Sequence, residues 1–155
     1  MSVIKALNIE APLVDAPTVT SSTGNSYTTT TWLDMGQYEQ VNYRLLASLG
    51  STNTLTAAVI QATSTGGAGA KAVTGAALTT ITNGTVNATI KTAEICVGAS
   101  ALDTNNGFRY IKCTATVGAL SNANVLAIEA SASDVRTSPQ TSSITQAVTV
   151  LSNSY

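Results

Sequence analysis

The sequence predicts an all-β protein: a β-sandwich or jelly-roll-like domain with an extended N-terminal arm and a C-terminal strand or arm. Three observations carry that expectation. Apolar residues recur at every second position in run after run, the period of a half-buried strand. The runs are made of Thr, Ala, Ser, Gly and Val and are broken by Gly and Asn. Glycines at 66, 75, 84, 98, 107 and 118 fall nine to fourteen residues apart, the spacing at which short strands turn back on one another. No repeat of solenoid length emerges.

Residues 1–30 read as an arm. Ile4, Leu7, Ile9, Leu13 and Val14 are apolar, but Pro12 and Pro17 block a long helix or a central strand. The polar tract TVTSSTGNSYTTTT follows, broken at Gly24. A segment of this kind lies extended over another subunit or forms a first strand on its own domain, and the sequence leaves both open. Residues 31–140 form the domain. Val41, Tyr43, Leu45, Ala47 and Leu49 alternate with Asn42, Arg44, Leu46 and Ser48, a strand with one lapse at Leu46. Gly50 to Asn53 is a turn, and Leu55, Ala57 and Val59 mark the next strand. The stretch STGGAGAK at 64–71 is expected as a flexible loop, and a weak strand is expected over Ala72–Thr82.

Asn83-Gly84 is a strong turn signal. Val86, Ala88 and Ile90 continue one face of a strand, and Ile95 and Val97 belong to another short piece. Asp103 to Gly107 turns the chain into Phe108–Val117, with Ile111, Cys113, Ala115 and Val117 on one face. Val125–Ala132 is the next strand, with Leu126, Ile128 and Ala130 on one face. Residues 141–155 hold a last strand, Ile144–Leu151, separate enough to act as a second arm.

The chemical inventory is nearly empty. Among 155 residues there is no His, so His-based triads and His-ligated metal sites are excluded. Ser2 and Lys5 match a Ser-x-x-Lys pair but sit at the extreme end of the sequence. The 66–71 loop lacks the Gly before Lys71 and the Ser or Thr after it that a phosphate-cradling loop needs. The 103–107 turn lacks the spacing and distal Glu of a calcium loop. Asp34 with Glu39, and Glu129 with Asp134, are carboxylate pairs, but aromatics to build a sugar cleft are scarce, so solvated charges are expected. Asn83 and Asn87 match glycosylation sequons without a secretory leader to give them meaning. No catalytic residue, metal or cofactor is expected, and the chain is read as not an enzyme.

Charge is low: 7 basic against 8 acidic residues, 10% of the chain. Without a basic patch, nucleic acid is not an expected partner. No apolar stretch reaches the length of a membrane span, and no membrane association is expected. Few ionic groups oppose self-association, which suits a member of an assembly. In the cytoplasm where such a chain is expected to be made, Cys96 and Cys113 read as reduced, small buried hydrophobes, with a disulfide as the alternative. The aromatics gather at residues 27–43. They read as core packing or as anchors at the base of the arm. Candidate interface residues are Ile4, Leu7, Ile9, Leu13, Val14, Tyr27 and Trp32 on the first side, and Ile144, Val148, Val150 and Tyr155 on the last.

Residues 41–140 also carry a resemblance. The strand VNYRLLASLG is followed by LTAAVIQATS, a Gly-rich loop and AVTGAALTTIT. GFRYIKCTATVG and the closing NVLAIEASASDVRTSP come next. This succession is similar to that of tailed-phage head decoration, or capsid cement, proteins. The resemblance implies a sandwich or jelly-roll-like domain, often a homotrimer, on the outer surface of a virion. There it would bind the major capsid protein and staple neighbouring subunits. It implies no active site and fixes no binding residue. A phage tail, fibre or receptor-binding component is the alternative, and a small lectin or carbohydrate-active enzyme is a third reading.

Overall fold

The alternating runs pair into two antiparallel sheets packed face to face. This computed structural model describes residues 13–15, 26–29, 31–50, 53–83, 89–118 and 124–135. Ten strands follow in order: β1 (Leu13–Asp15), β2 (Ser26–Thr28), β3 (Leu33–Asp34), β4 (Tyr38–Leu49), β5 (Thr54–Ala62), β6 (Lys71–Ala77), β7 (Ile81–Thr82), β8 (Thr89–Gly98), β9 (Tyr110–Gly118) and β10 (Asn124–Val135). One sheet has the order β1-β10-β4-β8, the other β2-β9-β5-β6, with β3 on β9 and β7 on β5.

The pairings nest. First meets last, β1 with β10; then β2 with β9, β4 with β8 and β5 with β6. The chain is one long hairpin with its apex between β5 and β6. Rolling it sets β10 beside β4 and β9 beside β5. That connectivity is a jelly roll.

Period two decides which residues meet between the layers. Val41, Tyr43, Leu45, Ala47 and Leu49 of β4 all face inward and are buried, as are Leu55, Ala57 and Val59 of β5. Ile111, Cys113, Ala115 and Val117 of β9 and Ile128, Ala130 and Ala132 of β10 complete the floor and roof. Each larger aliphatic contributes about 1.5–3 kcal/mol on burial. The many alanines contribute less, so the layers rely on close approach rather than bulk. Leu46, the lapse in the alternation, lies half-buried on the outer face, in register between Thr92 and Ala127.

Three buried polar side chains, Asn83, Gln61 and Thr29, tie connecting segments to the strands. Asn83 Nδ2 donates to the Leu49 carbonyl at 2.6 Å, and Asn83 N donates to Asn53 O. Asn83 is therefore a buried clasp on the ends of β4 and the 50–53 turn, and its amide is occupied by the Leu49 carbonyl. Gln61 Oε1 accepts from Asp103 N at 2.9 Å, tying β5 to the 103–107 turn. Thr29 exchanges backbone and hydroxyl bonds with Cys113, which fastens residues 26–29 to β9.

Several expectations change in detail. The weak strand over 72–82 is two strands, β6 and β7, separated by residues 78–80; within β6, Gly75 adopts φ +79 and the register against β5 shifts. The pieces around Ile90 and Ile95 are one continuous β8, because it pairs with β4 along its whole length. Phe108 precedes its strand rather than starting it. The 64–71 loop, expected to be flexible, is closed by turns: Gly67 N donates to Ser64 O, Ala70 N to Gly67 O, and Thr63 N to Ala68 O. Within the first thirty residues, β1 lies in one sheet and β2 in the other. The Ile144–Leu151 strand lies outside the described residues. Cys113 is buried as expected, but Cys96 is exposed, because it falls on the outward row of β8. Both are free thiols.

Candidate functional site

At one end of the sandwich three connections converge: the turn after β3, the 63–70 loop and the crossing from β8 to β9. Two short 3-10 turns, Ala99–Ala101 and Thr104–Asn106, build that crossing. Gly107 ends it at φ +80, which a side-chain-bearing residue adopts only with strain. Arg109 then stitches the end together. Its N–H donates to Ala62 O at 3.0 Å, and its carbonyl accepts from Met35 N at 2.9 Å.

The charged groups here are paired. Arg109 Nε donates to Asp34 Oδ1 at 2.5 Å and Nη2 donates to Oδ2, a two-pronged bridge. Gly36 N also donates to Asp34 Oδ1, at 2.8 Å. The guanidinium beside Asp34 holds its carboxyl below the usual value against the opposing effect of burial. Lys71 Nζ lies 2.6 Å from Asp103 Oδ2, and Asn106 Nδ2 donates to the same carboxylate at 2.9 Å. Those bonds hold the Asp103 carboxyl low as well.

Aromatic rings line the same end. Lys71 lies 4.2 Å above the Phe108 ring, Arg109 lies 5.7 Å from Tyr110, and Lys112 lies 5.7 Å from Trp32. The Trp32 ring rests on Gly67, so close that a Cβ there would fall 2.9 Å from it. Beside Phe108 and Arg109 is a shallow hollow of about 230 Å³, lined also by Met35, Ala99, Leu102 and Thr104. Its walls are mostly apolar, and its one cation is already bound to Asp34.

The outer faces of the sheets are the other candidate surface. On the β9–β5 face, Thr56 lies opposite Thr116 and Ala58 opposite Thr114, with Thr28 beside Thr114. These short side chains share the outward rows with Ile60 and Lys112, which lie opposite one another, and with Tyr110. On the other sheet Arg44 Nε meets Glu94 Oε1 at 2.9 Å, and Glu129 holds the register position on the other side of Arg44. Arg44 and Asn42 together hold the Glu94 carboxyl below its usual value.

Burial pushes the Cys113 thiol up to about 12, far from a reactive thiolate. Among the described residues no group of three His, Cys, Asp or Glu side chains is placed to hold a metal ion. Of the two carboxylate pairs picked out from sequence, Asp34 with Glu39 is the one whose side chains are both described, and Asp34 is engaged elsewhere. Asp34 is bound to Arg109 instead of solvated, because the β3–β9 pairing brings Arg109 to it, while Glu39 is exposed on β4.

Of the candidate interface residues, Ile4, Leu7, Ile9, Ile144, Val148, Val150 and Tyr155 lie outside the described residues. Leu13 and Val14 sit in β1 and Tyr27 in β2, hence in different sheets. Trp32 is half-buried at the loop end against Gly67 and Lys112. Sequence reasoning missed Arg109, Lys71 and Lys112 as organisers of that end. Their partners lie far along the chain, and no local pattern marks them. Comparison with known families, curated proteins and solved structures finds nothing that matches this chain.

Proposed function

We propose that this chain is a non-enzymatic structural component of a tailed-phage virion. It would bind the outer capsid surface, contact the major capsid protein and its own copies as a homotrimer, and staple neighbouring capsid subunits. The observation that supports this reading best is the charge-poor outward face of β9 and β5, where Thr56, Ala58, Thr114 and Thr116 adjoin. A face of short Thr and Ala side chains excludes little, so it suits docking by shape over many small contacts. The sequence resemblance adds to that. So does the jelly-roll connectivity, at the level of fold analogy alone, since viral capsid proteins and lectins both use it.

The lectin reading is weaker on one specific ground. Sugar rings stack on open aromatic faces, and Phe108, Tyr110 and Trp32 each already carry a cation of this chain near the ring. The test is direct. Purified protein is mixed with undecorated expanded capsids, alongside a Thr56→Arg/Thr116→Arg variant. The unaltered protein is expected to pellet with capsids and raise their thermal resistance, and the variant to do neither. Failure of the unaltered protein on both counts ends the proposal. Labelling on the tail of an intact virion, with the head unlabelled, transfers the chain to the tail or fibre class.

A further inference from the structure

Two Asn-Gly pairs occur in the sequence, at 83–84 and 106–107. Such a pair carries its own reaction. The glycine nitrogen, with no Cβ beside it, can reach the carboxamide carbon of the preceding side chain. The fold treats the two asparagines differently. Asn83 is 2% exposed, and its amide is clasped by the Leu49 carbonyl at 2.6 Å. Asn106 and Gly107 are both exposed, in the crossing from β8 to β9. A Cβ built on Gly107 would meet nothing within 4 Å, so the backbone there is open to water and base. The 3-10 turn that holds the pair spans Thr104–Asn106, one short turn. Turns of this type have poor hydrogen-bond geometry and open locally at little cost.

We propose that Asn106 is a site of spontaneous deamidation, and that its conversion unfastens the β8–β9 crossing. Gly107 N donates to Thr104 O at 3.0 Å, and that bond opens first. The nitrogen then gives its proton to hydroxide, and its lone pair bonds to Asn106 Cγ. The Cγ–Nδ2 bond breaks, and the departing nitrogen takes a proton from water and leaves as ammonia. The five-membered imide that results adds one water at either of its two carbonyls. Opening at one side gives Asp at position 106. Opening at the other gives isoaspartate, with the main chain running through the former side chain. One water is consumed, one ammonia is released, and nothing is oxidised or reduced.

The consequence follows from the present role of Asn106. Its Nδ2 donates to both oxygens of Asp103 at 2.9 Å. Conversion replaces that donor by a carboxylate, so two anions meet where a donor met an acceptor. Lys71 Nζ, 2.6 Å from Asp103 Oδ2, then faces two carboxylates instead of one. Isoaspartate also adds a carbon to the backbone. That lengthens the path from Asp103 to Phe108, whose N–H donates to Asp103 O at 3.2 Å. On the core side, Gln61 Oε1 holds Asp103 N at 2.9 Å, so the loosening stops at that clasp and leaves β5 in place. Thr104, Gly107 and Phe108 wall the hollow, so the hollow is what the reaction reshapes. The reaction needs only water and time, and it stands or falls separately from capsid binding.

The full chain is held warm in mild alkali and sampled by intact mass, peptide mapping and labelling with isoaspartyl methyltransferase. The expected result is a gain of about 1 Da at residue 106, with isoaspartate among the products. It should form at least about tenfold faster than any gain at residue 83, which waits on wider opening of the fold. Asn106→Gln, whose longer side chain closes a ring less readily, is expected to lose the fast phase. In the aged chain, amide exchange at Gly107 and Phe108 should be at least about tenfold faster than in the fresh one, with exchange in β4 and β9 unchanged. A gain at 83 as fast as at 106 would overturn the site. So would a fast phase that persists in Asn106→Gln, or no gain at 106 while a free peptide of residues 101–111 converts fully. Unchanged exchange at Gly107 and Phe108 in the aged chain would overturn the loosening.

Discussion

Replacing Asn83 by Asp changes one nitrogen to oxygen and reverses the polarity of a buried bond. Asn83 is 2% exposed, and its Nδ2 donates to Leu49 O at 2.6 Å. An ionised Asp at that position offers an acceptor to an acceptor. Leaving a buried charge without a partner costs about 3–5 kcal/mol. At about 2–4 °C per kcal/mol for a chain of this size, the melting temperature should fall by roughly 6–20 °C near pH 7. Asn83→Ala removes the donor without adding charge and should cost about 1–3 kcal/mol, the penalty of an unpaired buried carbonyl. The two variants separate through pH. Burial raises the introduced carboxyl above its unfolded value of about 4. A group raised on folding keeps its stability contribution at low pH and loses it as pH rises through the folded value. Asn83→Asp should therefore approach the unaltered protein near pH 4 and diverge towards pH 7, while the gap for Asn83→Ala stays flat. Urea denaturation at pH 4, 5.5 and 7 measures both. An Asn83→Asp gap that does not grow with pH would refute the buried-donor reasoning.

Three further outcomes are expected. Because Arg109 holds the Asp34 carboxyl low, that pair adds stability above about pH 4 and loses it as pH falls through the folded value. With Arg109 55% exposed, the contribution is about 0.5–1 kcal/mol, so the Tm gap between the unaltered protein and Asp34→Asn should be small at pH 7 and vanish in acid. A gap unchanged by pH contradicts the ion pair. Titration with a maleimide should modify one thiol per native chain, Cys96, and two after denaturation; two in the native state would contradict the burial of Cys113. Gly67→Ala should shift the fluorescence of Trp32 and cost about 1–3 kcal/mol, since position 67 combines φ +80 with a ring in contact. Unchanged emission would place the ring elsewhere.

The inward rows were legible because period two is a local property. Val41 to Leu49 and Ile111 to Val117 could be assigned to a face before their partners were known. Which strand lies beside which was not legible, because pairing in a jelly roll joins segments remote in sequence. The same limit hid the loop-end cluster. Asp34 looks like a surface carboxylate until β3 docks on β9 and brings Arg109 to it. Thr29 looks like part of a polar tract until its hydroxyl meets Cys113. Cys96 was misplaced for a simpler reason. Its small apolar character suggests the core, but strand parity puts it on the outer row between Ile95 and Val97.

The nesting of first strand with last bears on how the chain comes to be folded at all. β5 and β6 are neighbours in sequence and can pair as soon as both exist. β4 cannot be completed so early, for Val41 waits on Ala132, and Leu13 waits on Ser131. Pairings that remote in sequence have a high contact order and form in about milliseconds to seconds rather than microseconds. During synthesis the long edge of β4 stays open until β10 emerges. The twelve residues of β10 are thus a closing step, not an appendage. A chain stopped before residue 124 has no partner for β1 and only one for β4, so its expected failure is abrupt: loss of the cooperative unit rather than a fraction of its stability.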